Sequence, residues 1–332
     1  MYRAPNYLAR VTLSTCLALG SFSSASSARS TSAGNPGDIV AAVGVVIDPE
    51  LRLATVGYRL AQANAAHCDK PAMTTGLMFH NLADYAPNDR AAAKSRFRLT
   101  DGFGILHVVK GSIADSANLQ AGDEIVSVNG VDMAQFHREA VRTKASFART
   151  EKFLDYLEAV LANGEADLLL RRRSATVAMR LSGQPGCGGR TAMIRRGGAD
   201  AWSDGRYVAV TKAMLDLATD DSELAFVIAH EMAHNIARDA ERRSPLGGLF
   251  LQFGIGASRA KKAEQNADVM AITLMVNAGY DTAAAERLLR KSARSHRLDL
   301  AITHPSIAQR ITIVRQAIAA LDRPRLAGRG PS

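Results

Sequence analysis

Residues 230–234 read His-Glu-Met-Ala-His. Side chains four apart on a helix share a face, so His230 and His234 can present two imidazole nitrogens to one metal ion. Glu231 then stands within reach of an attacking water. The chemistry this proposes is hydrolysis of a peptide bond, with a metal activating the water and Glu231 taking its proton. Two protein ligands do not complete such a site; a third is needed, with water fourth. A third histidine six residues after His234 is excluded, because that position is Ala240. Farther along, Glu264-Gln265-Asn266-Ala267-Asp268 opens a helical run to Val276. Glu264 and Asp268 are four apart and share a face. Glu264 is the candidate third ligand. Asp268 is the candidate acceptor for the far ring nitrogen of His230, which would fix its tautomer.

The element that must position the two histidines starts at Asp220, a helix cap, with Glu223 placed to complete a capping box. Leu224 to Ala229 is almost wholly apolar, so the helix should be buried. Two histidines and a glutamate on a buried helix need a reason, because an unpaired buried charge is costly. A metal supplies one. Residues 245–257, between the two metal motifs, are apolar and Gly-rich, too short to span a membrane, and suited to a mobile lid or a packed loop.

The chain has 332 residues, 47% of them apolar, which is enough for two domains with real cores. The formal charge is +9, but the basic residues are spread out. The densest cluster, Arg171-Arg172-Arg173, reads as a solvated strand edge, and no nucleic-acid partner is expected. Arg3 and Arg10, the apolar run from Val11 to Phe22 and the small residues Ser26-Ser27-Ala28 read as a secretory signal peptide cleaved near Ala28. Cleavage removes two Arg and no acids, taking +9 to +7. The expected location is the periplasm. Cys16 sits in a sequence close to a bacterial lipobox, which leaves a lipid-anchored form as the alternative. With the signal removed, Cys68 and Cys187 remain, and an oxidising compartment makes them a disulfide candidate tying the N-terminal helix to the catalytic region.

Residues 29–48 read as a linker, and 49–96 as a helix and connection that pack on the catalytic region. From 97 to 183 the texture is short strands, with Asn129-Gly130 a strong hairpin turn. This segment resembles a PDZ domain of the bacterial type. Gly102-Phe103-Gly104-Ile105 matches that family's carboxylate-binding loop, and Gly111-Ser112 with Leu119…Gly122-Asp123 matches its next landmarks. The resemblance implies that a nest of backbone N–H groups captures a peptide's chain end.

Residues 184–322 are mostly helical, and 323–332 form a tail. The His-Glu-x-x-His and Glu-x-x-Ala-Asp pair resembles the HtpX-type gluzincin metallopeptidases, which include the CAAX prenyl proteases and periplasmic relatives of the BepA and LoiP kind. Thr303-His304-Pro305-Ser306 with Arg310 looks like that family's third landmark, and Trp202-Ser203-Asp204-Gly205 like its substrate-binding edge strand. The family's usual Asn is Asp200 here. The resemblance implies one Zn²⁺ per chain on His230, His234 and Glu264, with Glu231 as base and His304 as the group facing the oxyanion. It places the substrate along Tyr207–Val210, with Arg310 pairing with an acid near the site.

The expected fold class is α+β: a mostly helical zincin-type domain with a short edge-strand sheet, preceded by a small β-rich PDZ-like domain. The expected function is an exported zinc endopeptidase acting on unfolded or misfolded envelope proteins. Its partners are protein or peptide substrates, with peripheral membrane contact only through an anchor. The alternative is a peptide-binding, chaperone-like quality-control protein with a latent or autoinhibited metal site.

Overall fold

Asp48 begins the first helix, α1 (Pro49–Ala63): its carboxylate accepts a hydrogen bond from the Glu50 N–H at 2.8 Å, and Pro49 takes the first helical position. Leu53, Val56 and Leu60 recur at helical spacing and are fully buried. They join the core built by the metal-motif helix and its neighbours. The computed structural model describes residues 48–68, 71–137, 144–187, 189–195, 197–237, 257–295 and 305–327. The expected signal segment, Cys16, residues 245–256 of the apolar stretch, and His304 lie outside the described residues.

After α1 the chain leaves this core and returns at Cys187, which forms a disulfide with Cys68 across a sequence separation of 119. Next to the bridge, β1 (Ala72–Thr74) pairs antiparallel with β8 (Gln184–Gly186). The excursion between them is a second body with its own core. It contains α2 (Arg90–Phe97), α3 (Ile113–Ser116), α4 (Ala148–Ala162) and an antiparallel sheet. The sheet runs β2 (Leu77–His80), β3 (Phe103–Val108), β4 (Glu124–Val128), β6 (Ala166–Arg172), β7 (Ala175–Leu181). β5 (Val131–Asp132) pairs with β4 across Asn129-Gly130, both with positive φ, as the tight hairpin turn requires. Phe153 of α4 stacks on Phe103 at 4.0 Å and meets Phe79 edge-on at 5.0 Å, fixing α4 over one sheet face.

Three details of this body differ from expectation. The sheet begins at Leu77, ahead of the boundary at 97, because β2 is too short to show alternation. Arg171 and Arg172 do not form a solvated edge: they pair with the buried carboxylates of Glu124 at 3.0 Å and Asp123 at 2.7 Å. The β-rich body is inserted between α1 and the remaining helices instead of preceding them.

The helical body contains a three-stranded sheet in the order β10 (Ala201–Ser203), β11 (Tyr207–Thr211), β9 (Arg190–Ile194), with α5 (Lys212–Leu217) following. It continues with α6 (Asp221–Ile236), α7 (Ala257–Asn277), α8 (Ala283–Ser295) and α9 (Ile307–Ala327). The fold class is α+β. Asn64, fully buried at the end of α1, donates to the carbonyls of Leu60 at 2.9 Å and Leu274 at 3.1 Å, and accepts from Asn277 at 2.9 Å. It locks α1 onto α7. The two bodies also meet through α4, whose Asp155 and Glu158 pair with Arg190 at 2.7 Å each; Asp155 also binds Arg206. Among the described residues, no helix is long and apolar enough to cross a membrane.

Candidate metal centre and cleft

α6 starts as its sequence dictates. Asp220 accepts from the Glu223 N–H at 2.9 Å. The reciprocal half of the capping box is absent. Glu223 instead accepts from the Thr219 N–H at 2.8 Å and pairs with Lys291 of α8 at 2.6 Å. The cause is packing: α8 brings a cation against a carboxylate that is 1% exposed.

One turn before its end, α6 delivers His230 and His234, and α7 delivers Glu264 across from them. His230 Nε2 lies 3.3 Å from His234 Nε2 and 3.3 Å from Glu264 Oε2, while His234 Nε2 lies 3.3 Å from Glu264 Oε1. One ligand atom from each residue falls within 4.8 Å of the others, and all three residues are buried. Two imidazoles and a carboxylate converging in a core fit a divalent cation of borderline softness, the donor set of His₂Glu zinc sites.

Behind His230 the support is a charged relay. Nδ1 lies 3.0 Å from Asp268 Oδ1, and Asp268 accepts two hydrogen bonds from Arg310 of α9, at 2.9 Å from Nε and 2.6 Å from Nη2. Burial pushes the Asp268 carboxyl up, but hydrogen bonds from Arg310 and His230 outweigh it and hold the carboxyl below its ordinary range. Burial also opposes charge on His230, yet hydrogen bonds to Asp268 and Glu264 lift its pKa to about 9.

These groups open onto a cleft of about 400 Å³. Glu231 and Arg310 line it beside the three clustered residues, with β10 along one wall. β10 is the free edge of its sheet, whereas β11 is paired on both sides. A substrate strand therefore cannot add along Tyr207–Val210; the edge available to it is Ala201–Ser203. Asn235, next to His234, holds the β10–β11 turn, accepting from Gly205 N–H at 2.7 Å and donating to the Tyr207 carbonyl at 3.3 Å. Nothing in the sequence marked Asn235, or the α8 residues on the far wall.

Gly102-Phe103-Gly104-Ile105 is not a carboxylate nest. The Gly102 N–H is taken by Glu124 Oε1 at 3.0 Å, and β3 is an interior strand between β2 and β4. The glycines serve close packing: a Cβ on Gly102 would lie 2.4 Å from the Ile125 carbonyl oxygen, and one on Gly104 2.4 Å from Leu99. The open edge of this sheet is β2, with α4 beside it.

Comparison with known proteins matches the sequence profile of Peptidase family M48 over residues 170–258, which contain the His230–His234 motif. The PDZ domain profile matches residues 88–147. The chain is an M48 metallopeptidase with a PDZ domain. A curated relative of this M48 peptidase is the beta-barrel assembly-enhancing protease of Vibrio cholerae serotype O1, 32% identical over a region covering 34% of this chain and 31% of the relative. The chain thus spans about a third of that relative's length. Among solved structures, the HtrA3 PDZ domain bound to a phage-derived ligand (FGRWV) is 19% identical and covers 34% of this chain and 86% of that one. Its TM-score of 0.24 carries no argument about shape.

Proposed function

We propose that this M48 peptidase is an exported, zinc-dependent endopeptidase that cuts unfolded or misfolded envelope proteins. The observation that carries the reading is the convergence of buried His230, His234 and Glu264 at a cleft that also holds Glu231 and a free strand edge. Bound by those three residues, zinc supplies a Lewis acid that polarises a carbonyl and makes a water more acidic. Asp268, itself held by Arg310, orients His230 for that binding. Glu231 takes the proton of the attacking water and hands it to the leaving amine. β10 aligns the peptide as an added strand, so that its carbonyls pass the metal end in fixed register.

The PDZ domain supplies a second contact: a chain end joins the open edge of β2 beside α4. An envelope location is supported by the signal-like N-terminus, by the Cys68–Cys187 bridge and by the printed name of the Vibrio relative. The test is metal removal. The purified chain should carry one zinc and cleave denatured casein; a chelator should abolish cleavage and added zinc restore it. Cleavage that persists after the metal is gone would count against the reading.

A further inference from the structure

The cleft has two chemically different ends. One holds His230, Glu231, His234, Glu264 and Arg310. The other is walled by Met214 of α5, Phe226 and Val227 of α6, Leu288 and Leu289 of α8, and Trp202 of β10. Phe226, Val227, Leu288 and Leu289 are 3–7% exposed and belong to the main core, so the shape of this end is set by close packing. The α8 wall is pinned from outside the cleft. Lys291 pairs with Glu223 at 2.6 Å, and Glu286 with Arg315 of α9 at 2.7 Å. Val227 and Phe226 lie three and four residues before His230, so the apolar end adjoins the metal end along one helix face.

We propose that this apolar end is the specificity pocket of the peptidase, taking the side chain next to the scissile bond and selecting leucine, methionine or phenylalanine over small or charged residues. The inference rests on the peptidase reading of the same site. A peptide added to the β10 edge points alternate side chains to one side. The side chain beside a carbonyl at the metal end therefore enters the adjoining wall. Residues of that kind are buried in folded proteins and exposed in unfolded ones. The pocket thus gives the enzyme a chemical means of choosing unfolded chains.

Trp202 is the chain's only tryptophan and lines the cleft, so its fluorescence reports occupancy without turnover. The experiment titrates the zinc-loaded full chain carrying Glu231→Gln with peptides differing at one position: glycine, alanine, leucine, phenylalanine, glutamate or lysine. The leucine and phenylalanine peptides should perturb Trp202 emission and bind roughly tenfold to a hundredfold more tightly than the alanine and glutamate peptides. Sites cut by the unmodified chain in denatured casein should flank apolar residues. Val227→Phe, which fills the pocket, should move the preference toward alanine and glycine. If that variant does not fold, the titration of the native pocket decides by itself. Equal affinity across the set, or a preference for a charged side chain, overturns the pocket and leaves the peptidase reading standing. A zinc-loaded chain that cuts nothing overturns the peptidase reading, while the Trp202 titration still decides the pocket.

Discussion

His230 is gripped from both ring nitrogens, by Asp268 on one side and the Glu264–His234 pair on the other. The same carboxylates that orient it for a metal also attract a proton, and its pKa rises to about 9. Metal binds the neutral ring, so proton and zinc compete. Below pH 9 zinc must displace a proton, and its affinity should rise about tenfold per pH unit from pH 7 before levelling near pH 9. Competition titrations with a chelator across pH 6–10 check this; a flat affinity between pH 7 and 9 would refute it. Most of this constellation was legible in sequence because it is written in helical spacing: four residues between His230 and His234, four between Glu264 and Asp268. The double contact of Arg310 with Asp268 was only half legible, since its geometry depends on how α9 meets α7. The glycines at 102 and 104 misled because a glycine that lets backbones approach looks the same in sequence as one that shapes a nest.

At the scale of elements, the metal helix is only as fixed as its neighbours. α1 belongs to a part of the chain far from the motif, yet it packs on α6 and is tied to α7 by Asn64. Replacing Asn64 with Ala leaves the Leu274 carbonyl and the Asn277 amide without a buried partner, which should cost about 1–3 kcal/mol. Denaturant unfolding should show the midpoint falling; an unchanged midpoint would mean that Asn64 does not carry the α1–α7 contact. Helices such as α6 were readable from apolar runs and caps. Strand roles were not, because edge or interior status depends on partners distant in sequence. That is why β11 looked like the substrate strand and the shorter β10 holds the place. The α8 wall gave no signal either, since Leu288 and Leu289 look like any core-facing pair on an amphipathic helix.

At the scale of the molecule, the PDZ body is an insertion whose two ends meet at the Cys68–Cys187 bridge and the β1–β8 ribbon. Closing a loop of this length restricts the unfolded chain strongly, so Cys68→Ser with Cys187→Ser should lower stability by about 2–4 kcal/mol. Thermal unfolding of the oxidised chain against the double variant reads the difference, and equal melting temperatures would contradict it. The central claim is that Glu231 serves water-driven hydrolysis at a zinc held by His230, His234 and Glu264. The most direct measurement compares the native chain with Glu231→Gln for zinc content and cleavage of denatured casein. The account predicts one zinc in both and cleavage reduced at least about a hundredfold in the variant. A variant that keeps its zinc and cleaves at the native rate would contradict it.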